Sequence, residues 1–225
     1  MKDYFGTRVP SRNIHNTLPV ARPGLIFILA PAVLGLLTLA LGWCIPPTIL
    51  FLAAAFSFWF FRDPERPTPP PGFGLAPADG RVIRVESLPD NPYIPGPVIK
   101  VSIFMSPFNV HVNRVPSSGR LVSQTYFPGS FLNASLDKAS DMNERNALVI
   151  ETLEGTVAMV QIAGLIARRI VTWVKDGDKL ERGQRFGLIR FGSRVDLYLP
   201  PDSEIMVVPG QKVSAGWSPV WRAPR

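Results

Sequence analysis

The sequence is short of the residues that usually carry metal and redox chemistry. It holds one cysteine, Cys44, inside an apolar run, and two histidines, His15 and His111. One cysteine excludes an intramolecular disulfide framework, a CxxC pair and a zinc-ligand set. Two histidines leave too few ligands for a histidine-based metal centre, so no metal is expected, and acid–base chemistry has few groups to draw on. Charge is scarce as well. Charged residues make up 18% of the chain, and 24 Lys and Arg against 17 Asp and Glu leave a net charge of +7. A basic balance points to an anionic partner. Nucleic acid is the weaker choice, because no nucleic-acid-binding motif is present and the basic residues are spread rather than gathered on one helix. Anionic membrane lipid is the stronger one. A homo-oligomer is compatible with the sequence, which does not specify one.

What the chain has in abundance is apolar residues, 46% of its 225. Residues 1–23 are polar and basic, with Lys2, Arg8, Arg12 and Arg22. Residues 24–44 follow without a charge and with one proline, Pro31, a length that spans a bilayer core of ~30 Å as a helix. Ile45-Pro46-Pro47 is expected to break that helix. A second apolar run, 48–61, is rich in Phe and short for a span. Basic residues flank both ends of the pair, which by the positive-inside tendency puts both ends in the cytoplasm. Residues 1–61 therefore read as a basic N-terminus and a membrane-associated helical hairpin. A cleaved signal peptide fits less well, because the apolar run is too long and no early small-residue cleavage site follows. A buried core hairpin is the other alternative, disfavoured because neither run has a polar face.

Residues 62–76 are proline-rich and read as a stiff linker to a domain spanning 77–225. In that domain 81–87, 98–104, 120–127, 146–152, 156–162 and 170–175 read as strands, rich in Val, Ile and Thr with Gly, Pro or Asn between them. Residues 135–145 interrupt them as a charged loop or helix. Gly177-Asp178-Lys179-Leu180-Glu181-Arg182-Gly183 repeats as Gly210-Gln211-Lys212-Val213-Ser214-Ala215-Gly216, with glycines suited to positive φ in tight turns. Two such hairpins resemble the flattened barrel of biotinyl and lipoyl carrier domains. The fold expected is thus β-dominated (α+β), a flattened barrel-like sheet behind an N-terminal apolar helical hairpin. A membrane-tethered carrier without chemistry is one functional reading, but the carrier lysine at a hairpin tip is missing. Gly192-Ser193 lies between the repeats instead. Taken alone, that dipeptide is a turn between strands.

An ordered set of motifs gives it more meaning. Phe60-Phe61-Arg62-Asp63-Pro64-Glu65-Arg66 follows the hairpin. Then come Ala76-Pro77-Ala78-Asp79-Gly80, the segment from Met105-Ser106-Pro107 through His111 to Pro116, and Asp137-Lys138-Ala139-Ser140. Asn143-Glu144-Arg145-Asn146, Gln161-Ile162-Ala163-Gly164 and Phe191-Gly192-Ser193 complete the set. In this order the chain resembles the phosphatidylserine decarboxylase proenzymes of the short, membrane-associated prokaryotic type, over roughly its whole length. The resemblance implies a pyruvoyl cofactor made from Ser193 by self-cleavage of the Gly192–Ser193 bond. It implies a large chain, 1–192, associated with a small chain, 193–225. The activity implied is conversion of phosphatidylserine to phosphatidylethanolamine through a Schiff base, at the cytoplasmic face of the inner membrane. The chemistry fits, since decarboxylating an α-amino acid leaves a carbanion that needs an electron sink, and no pyridoxal-phosphate domain is apparent.

Ser193 needs a positioned base to act as a nucleophile. His111 is the only histidine in the expected catalytic domain, and its ordinary pKa near 6.5 suits proton transfer. On its own it reads equally as a structural histidine. Asp79 is a candidate to orient it, as in a triad, although Asp-Gly is also a common turn pair. Longer bacterial members of the family carry two histidines three residues apart here. His111 matches the first, and Arg114 stands at the second, the one usually given the self-cleavage role. Either His111 serves both maturation and turnover, or Asp79 acts with a water. Arg114, Arg168 and Arg169 are candidates for the substrate's phosphate, because guanidinium suits bidentate oxyanion binding. Solvated surface charge and anionic-lipid docking are their alternatives. A decarboxylase of a soluble amine is the remaining functional alternative.

Overall fold

The computed structural model describes residues 18–132, 134, 142–164, 169–190 and 193–223. A 3₁₀ turn, Arg22–Gly24, leads into α1, Leu25–Ala40, and after a break the second apolar run forms α2, Ile45–Phe60. The break comes at residues 41–44, where Gly42 takes φ 79°. Pro46 and Pro47 do not end a helix, as the sequence reading expects. They begin one, because the first turn has no intrahelical acceptors for the N–H groups that proline lacks. Gly35 lets the helices close on each other, since a Cβ there would meet the Phe51 ring at 2.9 Å. Arg22–Ala40 is long and apolar enough to cross a membrane, whereas α2, at 16 residues or ~24 Å, falls short of ~30 Å. Both helices expose their large apolar side chains, among them Ile26, Leu36, Leu41, Ile45 and Leu52. An exposed apolar surface of this extent suits a lipid environment rather than water.

The two ends of the hairpin are tied together. Ala21 N–H donates to the Phe61 carbonyl at 2.7 Å, and Asp63 N–H to that of Pro19 at 2.8 Å. The chain therefore enters and leaves the helical pair at one place.

The rest is strand. In order these are β1 Gly74–Leu75, β2 Gly80–Leu88, β3 Val98–Met105, β4 Val112–Arg114, β5 Gly119–Phe127, β6 Arg145–Thr152 and β7 Gly155–Ala163. They continue as β8 Ile170–Thr172, β9 Lys179–Leu180, β10 Arg185–Ile189, β11 Ser193–Leu199, β12 Glu204–Ile205, β13 Lys212–Val213 and β14 Pro219–Arg222. The six strands legible in the sequence all form, the last of them cut to Ile170–Thr172. Eight strands make one curled half-barrel in the order β13-β2-β3-β11-β7-β6-β5-β9. Small sheets β4-β10-β8 and β1-β14-β12 complete the domain. The fold is the β-dominated, barrel-like one expected, behind a helical pair.

The repeated hairpins cap the two edges of the half-barrel. β13 pairs with the start of β2 (Lys212 opposite Arg81) and β9 with the start of β5 (Lys179 opposite Arg120), so the first residues of each long edge strand are covered. Gly177, Gly183, Gly210 and Gly216 all take positive φ, between 69° and 92°, as the repeat predicts. The main core fills the concave side with side chains such as Ile103, Met105, Leu148, Met159, Phe186, Leu197 and Trp221. A separate cluster of Ala21, Phe60, Phe61, Val110, Val112 and Leu188 fixes the helical hairpin to the sheet β4-β10-β8. Of the segment 135–145, residues 135–141 lie outside the described residues.

Candidate active site

β10 ends at Ile189 in one sheet, and β11 begins at Ser193 in the middle of another. The chain thus passes from one sheet to the other between Ile189 and Ser193, the first residue on the far side. Its backbone pairs with Met105 of β3 and with Ala163 of β7, so it has strand on both sides and is fully buried. Ser193 Oγ donates to the Met105 thioether at 3.4 Å, a weak acceptor. Gly192 lies outside the described residues.

A line of buried amides leads away from that sulfur. Asn113 Nδ2 donates to it at 3.7 Å, and Asn113 Oδ1 accepts from Gln161 Nε2 at 2.8 Å. Gln161 Oε1 accepts from Asn146 Nδ2 at 3.1 Å, and Asn146 Nδ2 also reaches Thr172 Oγ1 at 3.0 Å. A buried amide left unpaired costs about 1–3 kcal/mol, so each member holds the next in one orientation. Gly187 leaves room for the line, since a Cβ there would lie 3.2 Å from Gln161 Nε2 and 2.4 Å from the Val171 carbonyl.

His111 sits two residues before Asn113, just ahead of β4. A tight turn sets it up, in which Asn109 Oδ1 accepts from both the N–H and the hydroxyl of Ser106. The imidazole stacks on Phe60, the last residue of α2, with centroids 4.0 Å apart and an interplanar angle of 29°. Its Nδ1 lies 2.9 Å from the Asn109 carbonyl. A carbonyl only accepts, so Nδ1 carries the proton and Nε2 holds the lone pair of the neutral ring. Nε2 is buried and has no hydrogen-bond partner among the described residues. Burial first, helped by the charge of Arg62, pushes the His111 pKa down to about 4, against the opposing pull of the Asn109 carbonyl and Asp79. His111 is therefore a neutral imidazole at neutral pH with an unengaged acceptor.

Asp79 does not make the hydrogen bond to His111 that a triad needs. Its two oxygens take both arms of Arg66, at 2.5 and 2.8 Å, and Oδ1 also accepts from Ala215 N–H at 2.8 Å. It reaches His111 only through its charge. Arg114 is likewise engaged. It donates to the carbonyls of Gly183 (3.2 Å) and Pro64 (2.9 Å) and lies 3.5 Å from Asp63, which Arg185 holds at 2.8 Å. Burial first, and then the charge of Arg185, lower the Arg114 pKa to about 10. These contacts tie the segment between helix and sheet to the domain, and they leave the guanidinium of Arg114 turned to protein rather than to a ligand. Arg169 is exposed, and Arg168 lies outside the described residues.

The comparison with known families settles what kind of protein carries this arrangement. The model of the phosphatidylserine decarboxylase family matches residues 53–220. The chain belongs to the phosphatidylserine decarboxylase family. Among curated proteins it is 48% identical over 206 residues to the phosphatidylserine decarboxylase proenzyme of Syntrophus aciditrophicus, covering 89% of this chain and 96% of that one. It is 52% identical over 198 residues to the proenzymes of Burkholderia ambifaria and Burkholderia multivorans, covering 87% of this chain and 92% of each of those.

Within this decarboxylase fold, several residues around Ser193 were not given a role by the sequence reading. Met105, Asn113 and Gln161 lie inside motifs that carried the family resemblance, yet their spacing says nothing about their joining in one hydrogen-bonded line that ends at the Met105 sulfur. The β3–β11–β7 pairing and the packing of β4 beside them bring the three together. Phe60 read as the end of an apolar run, and its stacking on His111 comes with the packing of the hairpin's base against β4 and β10. Arg66 was legible as a charge in the family motif, but not as the partner that takes Asp79 away from His111.

Proposed function

We propose that this chain is the proenzyme of a pyruvoyl-dependent decarboxylase that converts phosphatidylserine to phosphatidylethanolamine at the cytoplasmic face of the inner membrane. The observation that carries the reading is the position of Ser193, fully buried at the head of the central strand where the chain passes between sheets. In maturation Ser193 Oγ attacks the Gly192 carbonyl and the peptide becomes an ester. Removal of the Ser193 α-proton then eliminates Gly192 as a new carboxylate. The dehydroalanine left behind hydrolyses to a pyruvoyl group with release of ammonia. His111 is the base we favour for these proton transfers, because its neutral ring keeps Nε2 unengaged. The engagement of Asp79 with Arg66 weighs against Asp79 as the base.

The surroundings of Ser193 suit a buried ketone. Met105 and Ala163 flank it with apolar atoms, and Asn113 Nδ2, now on a thioether, is a ready donor to a carbonyl oxygen. The pyruvoyl group supplies the electron sink that stabilises the carbanion left when carbon dioxide departs. His111, two residues before the Asn113 that shares the Met105 sulfur with Ser193, is the neutral imidazole we assign to proton transfer, and the burial of Ser193 keeps bulk water out. Cleavage does not dismantle the sheet, because β11 stays hydrogen-bonded to β3 and β7 on either side. Residues 193–225 thus remain with 1–192. The helical hairpin presents the site to lipid, since Phe60 at its base stacks on His111.

Intact-mass spectrometry of the purified protein tests this reading. A fragment of 33 residues beginning at 193, its amino terminus blocked by pyruvate, is expected beside the large chain. Ser193→Ala should remain one chain of 24.8 kDa and be inactive. A natively folded wild type that stays uncleaved would refute the proposal and favour a non-catalytic, lipoyl-like module. Cleavage with activity on a soluble amino acid, and none on lipid, would favour the soluble-amine decarboxylase.

A further inference from the structure

One pair of arginines near the site has no anion. Ile189 of β10 lies opposite Ile170 of β8, and the next pair along the ladder is Arg190 and Arg169, joined by an N–H to carbonyl bond of 3.2 Å. Like charges facing each other across strands repel. No carboxylate pairs with either among the described residues, and Arg190 Nε is buried with no hydrogen-bond partner. Burial first, and then the charge of Arg169, lower the Arg190 pKa. A pair of cations in this state is stabilised by an oxyanion placed between them.

Two positions define what that anion is. The guanidinium of Arg190 lies 5.1 Å from the centre of the Phe27 ring, a cation–π contact with the first turn of α1. Phe27 lies in the first turn of α1, at the end of the apolar pair that is tied to the domain, the end where a lipid headgroup meets the protein in the membrane-hairpin reading. Along the chain, Arg190 is three residues from Ser193, so their Cα atoms are at most ~11 Å apart. In phosphatidylserine the phosphorus is three bonds from the serine α-carbon, which is the reacting atom. A phosphate beside the first turn of α1 and an α-carbon at Ser193 are thus both within reach of an arginine side chain from position 190.

We propose that Arg190, with Arg169, forms the subsite that holds the phosphodiester of the substrate. The inference rests on the phosphatidylserine reading above. Arg190 takes the place that the sequence offered to Arg114, which is engaged elsewhere. A phosphate contact also suits catalysis better than a carboxylate contact, since tight binding of the leaving carboxylate opposes its loss.

The test is steady-state kinetics of the processed enzyme in neutral detergent on dihexanoyl phosphatidylserine, with no other anionic lipid present. Arg190→Gln and Arg169→Gln should each raise KM by roughly tenfold to a hundredfold, with the loss carried mainly in KM rather than kcat, and Arg190→Lys should fall between. Dihexanoyl phosphatidylglycerol should inhibit wild type competitively and inhibit Arg169→Gln at least tenfold less well. Arg169→Gln lies further from the scissile bond and carries the test should Arg190→Gln fail to mature. An unchanged KM in Arg169→Gln and Arg190→Lys overturns the subsite. So does an unchanged KM accompanied by weaker flotation with phosphatidylglycerol vesicles, which would assign the pair to membrane docking. A processed wild type that does not turn over dihexanoyl phosphatidylserine fails earlier, at the substrate itself, and is distinguished by that.

Discussion

The stacking of Phe60 on His111 makes a prediction that needs no substrate. Phe60 is fully buried and covers one face of an imidazole whose pKa is held at about 4 chiefly by burial. Phe60→Ala removes that cover and admits water to one of the two ring faces. With about half of the desolvation relieved, the His111 pKa should climb by about one pH unit toward 6.5. The same substitution opens a large cavity and costs about 3–5 kcal/mol of stability, so Phe60→Leu serves as the milder variant, with a smaller climb. The assay is NMR of labelled histidine in the uncleaved Ser193→Ala protein in micelles. The chain has only His15 and His111, so His15→Gln leaves a single imidazole to follow. Stability gives a second readout. Because the folded pKa is depressed, the unfolded chain binds the extra proton between pH 6.5 and about 4. The stability contributed by the neutral His111 is therefore present above 6.5 and lost as pH falls through that window, with no further loss below about 4. From 6.5 to about 4, at ~1.36 kcal/mol per pH unit, the loss is about 3 kcal/mol in wild type. The difference between wild type and His111→Gln isolates it from the carboxylates that titrate in the same range. A wild-type His111 that titrates at or above 6.5, or one that does not move in Phe60→Ala, would show that the hairpin does not set its proton affinity.

Two further substitutions separate structural from chemical roles. Asp63→Asn leaves Arg114 without its nearest carboxylate and Arg185 with only Glu65, which it holds at 2.7 Å, and should destabilise the protein by about 3–5 kcal/mol in thermal unfolding, whereas Glu65→Gln, at a side chain 70% exposed, should cost under ~1 kcal/mol; equal effects would mean that burial does not govern these pairs. If Asp79 acts as a clamp, Asp79→Asn and Arg66→Gln should slow self-cleavage by similar factors, measured by gel densitometry of refolded protein. A loss confined to Asp79→Asn would restore Asp79 as a base.

Most of the fold could be read from local patterns, because each strand carries its own alternation and each repeat its own glycines. The exceptions are places where a residue's meaning depends on a distant partner. Pro46 and Pro47 look like a break until a helix begins on them, since the same missing N–H ends one helix and is harmless in the first turn of the next. Asp79 and His111 are sound triad candidates by residue type, and the charge of Asp79 is close enough to be felt at the neutral His111 ring. Arg66, 13 residues before Asp79, decides the hydrogen bonds instead. Arg114 stands where a second histidine was expected, and its burial among Asp63, Pro64 and Gly183 gives that position a holding role rather than a proton-transfer one. The consequence for mechanism is economy of groups. With Asp79 and Arg114 both engaged in attaching the segment after the hairpin to the domain, His111 is left as the candidate base whose acceptor nitrogen has no partner among the described residues. The attachment that removes the other two is the same one that brings Phe60 over the His111 ring, so the seating of the hairpin and the proton affinity of the candidate base are set by a single piece of structure.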